Sequence, residues 1–151
     1  MNRPLNGVYT ASLTPLTASF EPNIPALVRH AQWLLESGSD GVALLGSTGE
    51  ANSLTLEQRL SIIEQTAREL PPDRLMLGTG SCALQDSVRL TKASVDAGVF
   101  SVLVIPPFYY KPITNNGLFL WYQTLHEKLG NRKIKIYFYN FPQMTGLIIP
   151  I

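Results

Sequence analysis

Four short segments carry most of the groups able to do chemistry: Gly46-Ser47-Thr48-Gly49-Glu50, Gly78-Thr79-Gly80-Ser81, Pro106-Pro107-Phe108-Tyr109-Tyr110 and Tyr139-Asn140-Phe141-Pro142. Hydroxyls and backbone amides dominate them. In the first, small residues let successive backbone N–H groups point at one anion, with the hydroxyls of Ser47 and Thr48 beside them, an arrangement suited to a carboxylate or a phosphate. The same turn has a plainer reading, in which its glycines serve only to reach positive φ. A nucleotide-binding phosphate loop fits less well than either: the turn lacks the Lys-Ser/Thr pair, and the next helix starts only around Thr55, too far on to aim its N-terminus at a phosphate.

Tyr139 ends the aromatic run Ile136-Tyr137-Phe138-Tyr139, in which strand alternation sends Tyr137 and Tyr139 to one side and Phe138 to the other. A buried tyrosine is ordinarily an amphipathic core residue with a satisfied hydroxyl. As an acid or base, a phenol with an unperturbed pKa of about 10 needs neighbouring hydroxyls, such as Thr48 and another Tyr, to stabilise or relay its charge. His30 and His126 have no second His or Cys at ligand spacing, so no metal is expected. Glu50 either orients its turn through backbone N–H groups or is solvated, and Cys82 reads as structural.

These segments need a scaffold that brings them together. Aliphatic or β-branched runs begin near Val8, Val42, Leu75, Val102 and Ile136, so strand starts fall 34, 33, 27 and 34 residues apart. Helical periodicity fills the gaps. Ile24, Leu27, Val28, Ala31, Leu34 and Leu35 form one face between Pro25 and Gly38. Thr55 and Gln58 have capping-box spacing ahead of Leu56, Leu60, Ile63 and Ala67. Val88, Thr91 and Val95 before Gly98 outline a third helix, and Leu118, Trp121, Tyr122, Leu125 and Leu129 before Gly130 a fourth. Strands separated by helices pair in parallel through right-handed crossovers, which leaves an open doubly wound sheet or part of a (β/α)8 barrel. A barrel at this beat needs roughly 250 residues. In both architectures the strands' carboxyl ends hold the site, and the four segments sit at those ends.

Composition narrows the partners. Of 151 residues 45% are hydrophobic and 15% charged, enough for one ordinary core and too few charges for a disordered chain. Twelve Lys and Arg against eleven Asp and Glu leave a net charge of +1 with no basic stripe, so neither nucleic acid nor a membrane surface is expected and a small molecule is. The single cysteine, a start without an apolar leader and the absence of long apolar runs predict a cytoplasmic protein.

In order and spacing, G-S-T-G-E, P-P-F-Y-Y-K-P and Y-N-F-P, with the opening G-V-Y-T-A-S-L-T-P and the helix end E-S-G-S-D-G, closely resemble the dihydrodipicolinate synthase / N-acetylneuraminate lyase family of pyruvate-dependent Schiff-base aldolases. The resemblance runs over the whole chain. It implies that residues 1–151 are the N-terminal part of a single TIM-barrel domain, about the first four and a half βα units, ending after strand five. In that family a lysine on the sixth strand attacks the ketone of pyruvate or another 2-oxo acid. None of Lys92, Lys111, Lys128, Lys133 and Lys135 stands at a sixth strand's end, so the chain alone is expected to be inert, with open sheet edges. The resemblance further implies Ser47 and Thr48 as the carboxylate-binding pair, Tyr139 as general acid/base, Thr48 hydrogen-bonded to the Tyr139 phenol, and Tyr109 reaching in from a neighbouring subunit of a homo-oligomer, a tight dimer or dimer of dimers. No cofactor is implied.

Two positions depart from the synthases, which have Thr-Thr in the turn and an Arg two residues after the proline; here stand Ser47-Thr48 and Met144. A thioether cannot clamp a carboxylate as a guanidinium does. This pattern is more similar to N-acetylneuraminate lyases and to 2-keto-3-deoxy sugar-acid aldolases or dehydratases, with dihydrodipicolinate synthase as the alternative. A flavodoxin-like binding module, its hydroxyl-rich loop on a flavin phosphate, is the alternative of another class.

Overall fold

The computed structural model describes residues 6–150. Five strands, β1 (Tyr9–Ala11), β2 (Gly41–Leu44), β3 (Leu75–Gly78), β4 (Ser101–Val104) and β5 (Lys135–Phe138), alternate with helices α1 (Ile24–Glu36), α2 (Leu56–Glu69), α3 (Leu84–Asp96) and α4 (Asn115–Leu129). A single turn of helix, α5 (Pro142–Thr145), follows β5 and has no counterpart in the periodicity, being too short to show one. The strands form one sheet in the order 1-2-3-4-5, every pair parallel. A doubly wound sheet reverses its order at a switch point. This one never does.

Helix ends follow the local chemistry. Asn23 caps α1 through Ala26 N–H, with Pro25 in the first turn. Thr55 and Gln58 close a reciprocal capping box on α2, and Thr114 caps α4 through Gly117 N–H. Gly38 and Gly98 take positive φ just beyond α1 and α3, where a Cβ would be strained.

Alternation divides each strand between two environments. Val42, Leu44, Leu75, Leu77, Val102 and Val104 face the helices and are essentially inaccessible to solvent. One cluster joins β2 and β3 to α1 and α2 through residues such as Leu27, Ile62 and Ile63, and a second joins β4 to α4 through Leu125 and Leu129. The opposite face carries Tyr9, Ala43, Met76, Leu103 and Tyr137, all only partly buried. Burial, followed by the nearby Tyr137, raises the Tyr9 phenol above its ordinary value. Tyr9 is on β1 and Tyr137 on β5, the two edge strands, so the sheet curls. In a flat sheet, four steps of about 4.8 Å would hold them roughly 19 Å apart.

Curling brings the carboxyl ends of adjacent strands into close backbone contact. A Cβ at Gly78 would lie 1.9 Å from the Leu45 carbonyl oxygen, and one at Gly80 would lie 2.5 Å from the Ile105 nitrogen. Leu45, buried, has φ 59°, a left-handed conformation that side chains with a Cβ rarely adopt. The chain thus leaves β2 through a strained residue lying against a glycine. Among the described residues no helix is long and apolar enough to cross a membrane.

Two substitutions test this account by urea unfolding. Ile62→Ala, which empties a fully buried site under β2 and β3, is expected to lower stability by about 2–5 kcal/mol. Gly78→Ala, which forces a methyl into the Leu45 carbonyl, is expected to cost about 1–3 kcal/mol despite adding only one carbon.

Candidate functional site at the carboxyl ends of the strands

The segments expected to carry chemistry all sit at the carboxyl ends of β2, β3, β4 and β5. Ser47 and Tyr139, 92 residues apart, meet there: the Tyr139 hydroxyl donates to Ser47 Oγ at 3.3 Å. Between β2 and β5 a flat sheet would interpose three steps of about 4.8 Å, roughly 14 Å in all, so this contact exists only because the sheet curls. Gly46, Gly78, Gly80, Leu103 and Ile105 line the small cleft beside the pair.

Tyr139 is held from two sides. Its N–H donates to the Val104 carbonyl at 3.0 Å, extending the β4–β5 ladder by one residue. The same oxygen accepts the Tyr122 hydroxyl of α4 at 3.1 Å. Burial pushes the Tyr122 phenol upward, so it stays a protonated donor. Phe138 turns to the helix side, its ring 4.7 Å from that of Tyr122, while Tyr139 turns to the cleft. Beyond Tyr139, Asn140 Oδ1 accepts the Ile149 N–H at 3.1 Å, and the buried Thr145 hydroxyl ties Phe141 to Leu147, folding the Y-N-F-P segment back on itself.

The turn after β2 is tied down as tightly. Glu50 N–H bonds the Ser47 carbonyl and Ala51 N–H the Gly46 carbonyl. Thr14, in the loop after β1, donates its hydroxyl to the Gly49 carbonyl at 2.8 Å. These bonds fix the turn through its carbonyls, while the N–H groups of Ser47 and Thr48 donate to no described residue. Glu50, exposed and at φ 50°, makes no side-chain hydrogen bond among the described residues, which favours its solvated reading.

One expected contact is corrected. The phenol of Tyr139 meets Ser47, not Thr48. Ser47 is half-buried and lines the cleft, whereas Thr48 is exposed and is not among the cleft's lining residues. Tyr109 is 73% exposed, edge-on to Tyr110 with ring centroids 5.0 Å apart, and makes no hydrogen bond among the described residues. Met144 is exposed on α5. Among the described residues no group of three His, Cys, Asp or Glu could hold a metal ion.

Arg59, on α2, carried no signal in the sequence, because a lone arginine on a helix ordinarily reads as a solvated residue. It is buried, and its Nη2 donates to the carbonyls of Gly78 at 3.1 Å and Gly80 at 2.9 Å, two residues that line the cleft. Burial lowers the guanidinium to about 10, with Asp86 offsetting part of the effect, so it is cationic at neutral pH.

Comparison with known proteins agrees with this geometry. The model of the dihydrodipicolinate synthetase family matches residues 4–151. An uncharacterized DapA-like lyase of Chloroflexus aurantiacus is 33% identical over 95% of this chain and 48% of its own length. The 4-hydroxy-tetrahydrodipicolinate synthase of Desulforudis audaxviator is 32% identical over 93% and 47%. Among solved structures, dihydrodipicolinate synthase from Agrobacterium tumefaciens superposes with a TM-score of 0.90 at 30% identity, covering 95% of this chain and 50% of that one. A variant of the 2-keto-3-deoxygluconate aldolase from Sulfolobus solfataricus, solved with pyruvate, gives 0.85 at 27%, covering 95% and 47%. The chain therefore spans about half the length of the relatives it matches. Its five βα-ordered strands are the first units of a (β/α)8 barrel, which sets aside the flavodoxin-like alternative. With the family's pattern matched from residue 4 to residue 151, the chain belongs to the dihydrodipicolinate synthetase family.

Proposed function

We propose that the complete protein is a pyruvate-dependent carbon–carbon lyase that works through a lysine Schiff base on a 2-oxo acid of the sugar-acid type. The observation that carries this reading is the Tyr139–Ser47 hydroxyl contact beside two unengaged backbone N–H groups. A 2-oxo acid presents a carboxylate and, next to it, a carbonyl carbon whose conversion to an imine needs protons moved on and off oxygen. The N–H groups of Ser47 and Thr48 take the carboxylate, as oriented backbone dipoles hold an anion without a charged side chain. Tyr139 is then the acid that protonates the departing carbinolamine hydroxyl and the base at the hydroxyl of the cleaved aldol. Ser47 relays the proton.

The nucleophilic lysine belongs to the part of the protein beyond this chain, and the resulting iminium draws electrons from the breaking carbon–carbon bond. Tyr109, exposed on the loop after β4, completes the relay from a neighbouring subunit in a homo-oligomer. Relatives named as 4-hydroxy-tetrahydrodipicolinate synthases favour the second reading, condensation onto a carboxylated aldehyde. Met144 weighs against it, since α5 offers an exposed thioether where that reaction needs a carboxylate clamp. The aldolase neighbour solved with pyruvate supports pyruvate dependence, which both readings share.

Incubating the complete protein with pyruvate and borohydride is expected to add the mass of one reduced pyruvate per subunit; an unchanged mass refutes the mechanism. Cleavage of 2-keto-3-deoxy sugar acids without condensation of aspartate semialdehyde identifies the sugar-acid branch, and the reverse pattern identifies the synthase. Tyr139→Phe is expected to lower kcat by about 10²–10⁴ while leaving the carboxylate site, and so KM, little changed. Steady-state kinetics on purified enzyme measure both.

A further inference from the structure

Arg59 is the one charged side chain buried among the described residues; no carboxylate lies at ion-pair distance, although Asp86 offsets part of the cost of burying it. An unpaired buried cation is costly, and an apolar side chain of similar volume is commonly as stable in such a place. Its neighbours show what it does. The guanidinium reaches from α2 to the carbonyls on either side of Thr79, and its Nε finds no partner, so the group is committed to those two oxygens. Thr79 is itself locked, its N–H to the Leu103 carbonyl and its hydroxyl to Thr91.

We infer that Arg59 is a positioning residue: by drawing the Gly78 and Gly80 carbonyls toward α2 it holds the end of β3 in the place that sets Ser47 against Tyr139. The connection is short. Gly78 lies directly against the Leu45 carbonyl, and Leu45, in its left-handed conformation, is two residues from Ser47. If the β3 end relaxes, Leu45 loses the surface that keeps it strained. The Tyr139–Ser47 contact, at 3.3 Å, is already long for a hydroxyl pair, so a further shift of a few tenths of an ångström breaks it. Lysine in place of Arg59 keeps the charge but not the rigid planar donors.

The catalytic consequence rests on the proposed relay, whereas the geometric one does not, and the test separates them. Arg59→Met, Arg59→Lys and Arg59→Gln in the complete protein are compared with wild type in two measurements. The first is hydrogen exchange of the Glu50 and Ala51 amides, which close the turn onto the Ser47 and Gly46 carbonyls, expected to quicken about tenfold or more in Arg59→Met while α4 amides keep their rates. The second is kcat divided by the fraction of folded subunits, read from near-ultraviolet circular dichroism. It is expected to fall roughly tenfold to a hundredfold in Arg59→Met and less in Arg59→Lys, with KM for the 2-oxo acid little changed. A residue that merely stabilises the fold lowers the folded fraction and the melting temperature but leaves kcat per folded subunit and the exchange of Glu50 and Ala51 alone; that result overturns the inference. Should Arg59→Met fail to fold, Arg59→Lys and Arg59→Gln carry the same comparison. If wild type traps no pyruvate, the proposed reaction fails, and the exchange data alone still decide the positioning role.

Discussion

The Leu45 carbonyl occupies the space where any side chain at position 78 would begin. That close approach of two backbones is the constraint on which the rest of the arrangement depends. It lets the end of β2 lean over the end of β3, places Leu45 in a left-handed conformation, and delivers the next turn toward the sheet's inner face. Strain of this kind persists only where the surroundings over-determine it. Here they do: Leu44 and Leu45 are buried, Thr14 anchors Gly49, and Arg59 holds the two glycines from behind.

From that constraint follows a division of labour between the two faces of the sheet. On β2, β3 and β4 the helix-facing side chains are close to fully buried and aliphatic, supplying the hydrophobic driving force. The inner face is mixed: Ala43 and Gly78 are small, Met76 and Leu103 are apolar, and Tyr9, Tyr137 and Tyr139 bring hydroxyls, a set less uniformly buried than the helix side. Adhesion and chemistry are thereby assigned to opposite sides of the same four-residue strands. A change on one face need not disturb the other, except where Tyr122 bonds the oxygen that Tyr139's own N–H uses and where Arg59 bonds the carbonyls of Gly78 and Gly80.

Hydroxyls and amides form the observed part of the site, and no charged side chain belongs to the Tyr139–Ser47 contact or the cleft beside it. Such groups are able to hold an anion or pass a proton without a fixed charge that would have to be desolvated. The cation nearby, Arg59, is turned away from the cleft onto carbonyl oxygens, where it acts on geometry.

Much of the fold was legible in the sequence because its signals are local. The strand starts, the Thr55–Gln58 capping box, and the glycines after α1 and α3 each reflect a preference exerted within a few residues. The inward turn of Tyr139 was legible for the same reason, since alternation is a property of a single strand. Which hydroxyl meets that phenol was not, because Ser47 and Thr48 differ only in how the turn leaves β2, and that is set by Leu45 lying on Gly78, 33 residues away. Arg59 was hidden for a related reason: its partners are two carbonyl oxygens, which every residue possesses and no sequence pattern marks. By itself, then, the sequence determined the order of elements, their faces and the residues available for chemistry. Tertiary structure alone decided which of them touch, because curvature of the sheet sums many contacts, each distant along the chain.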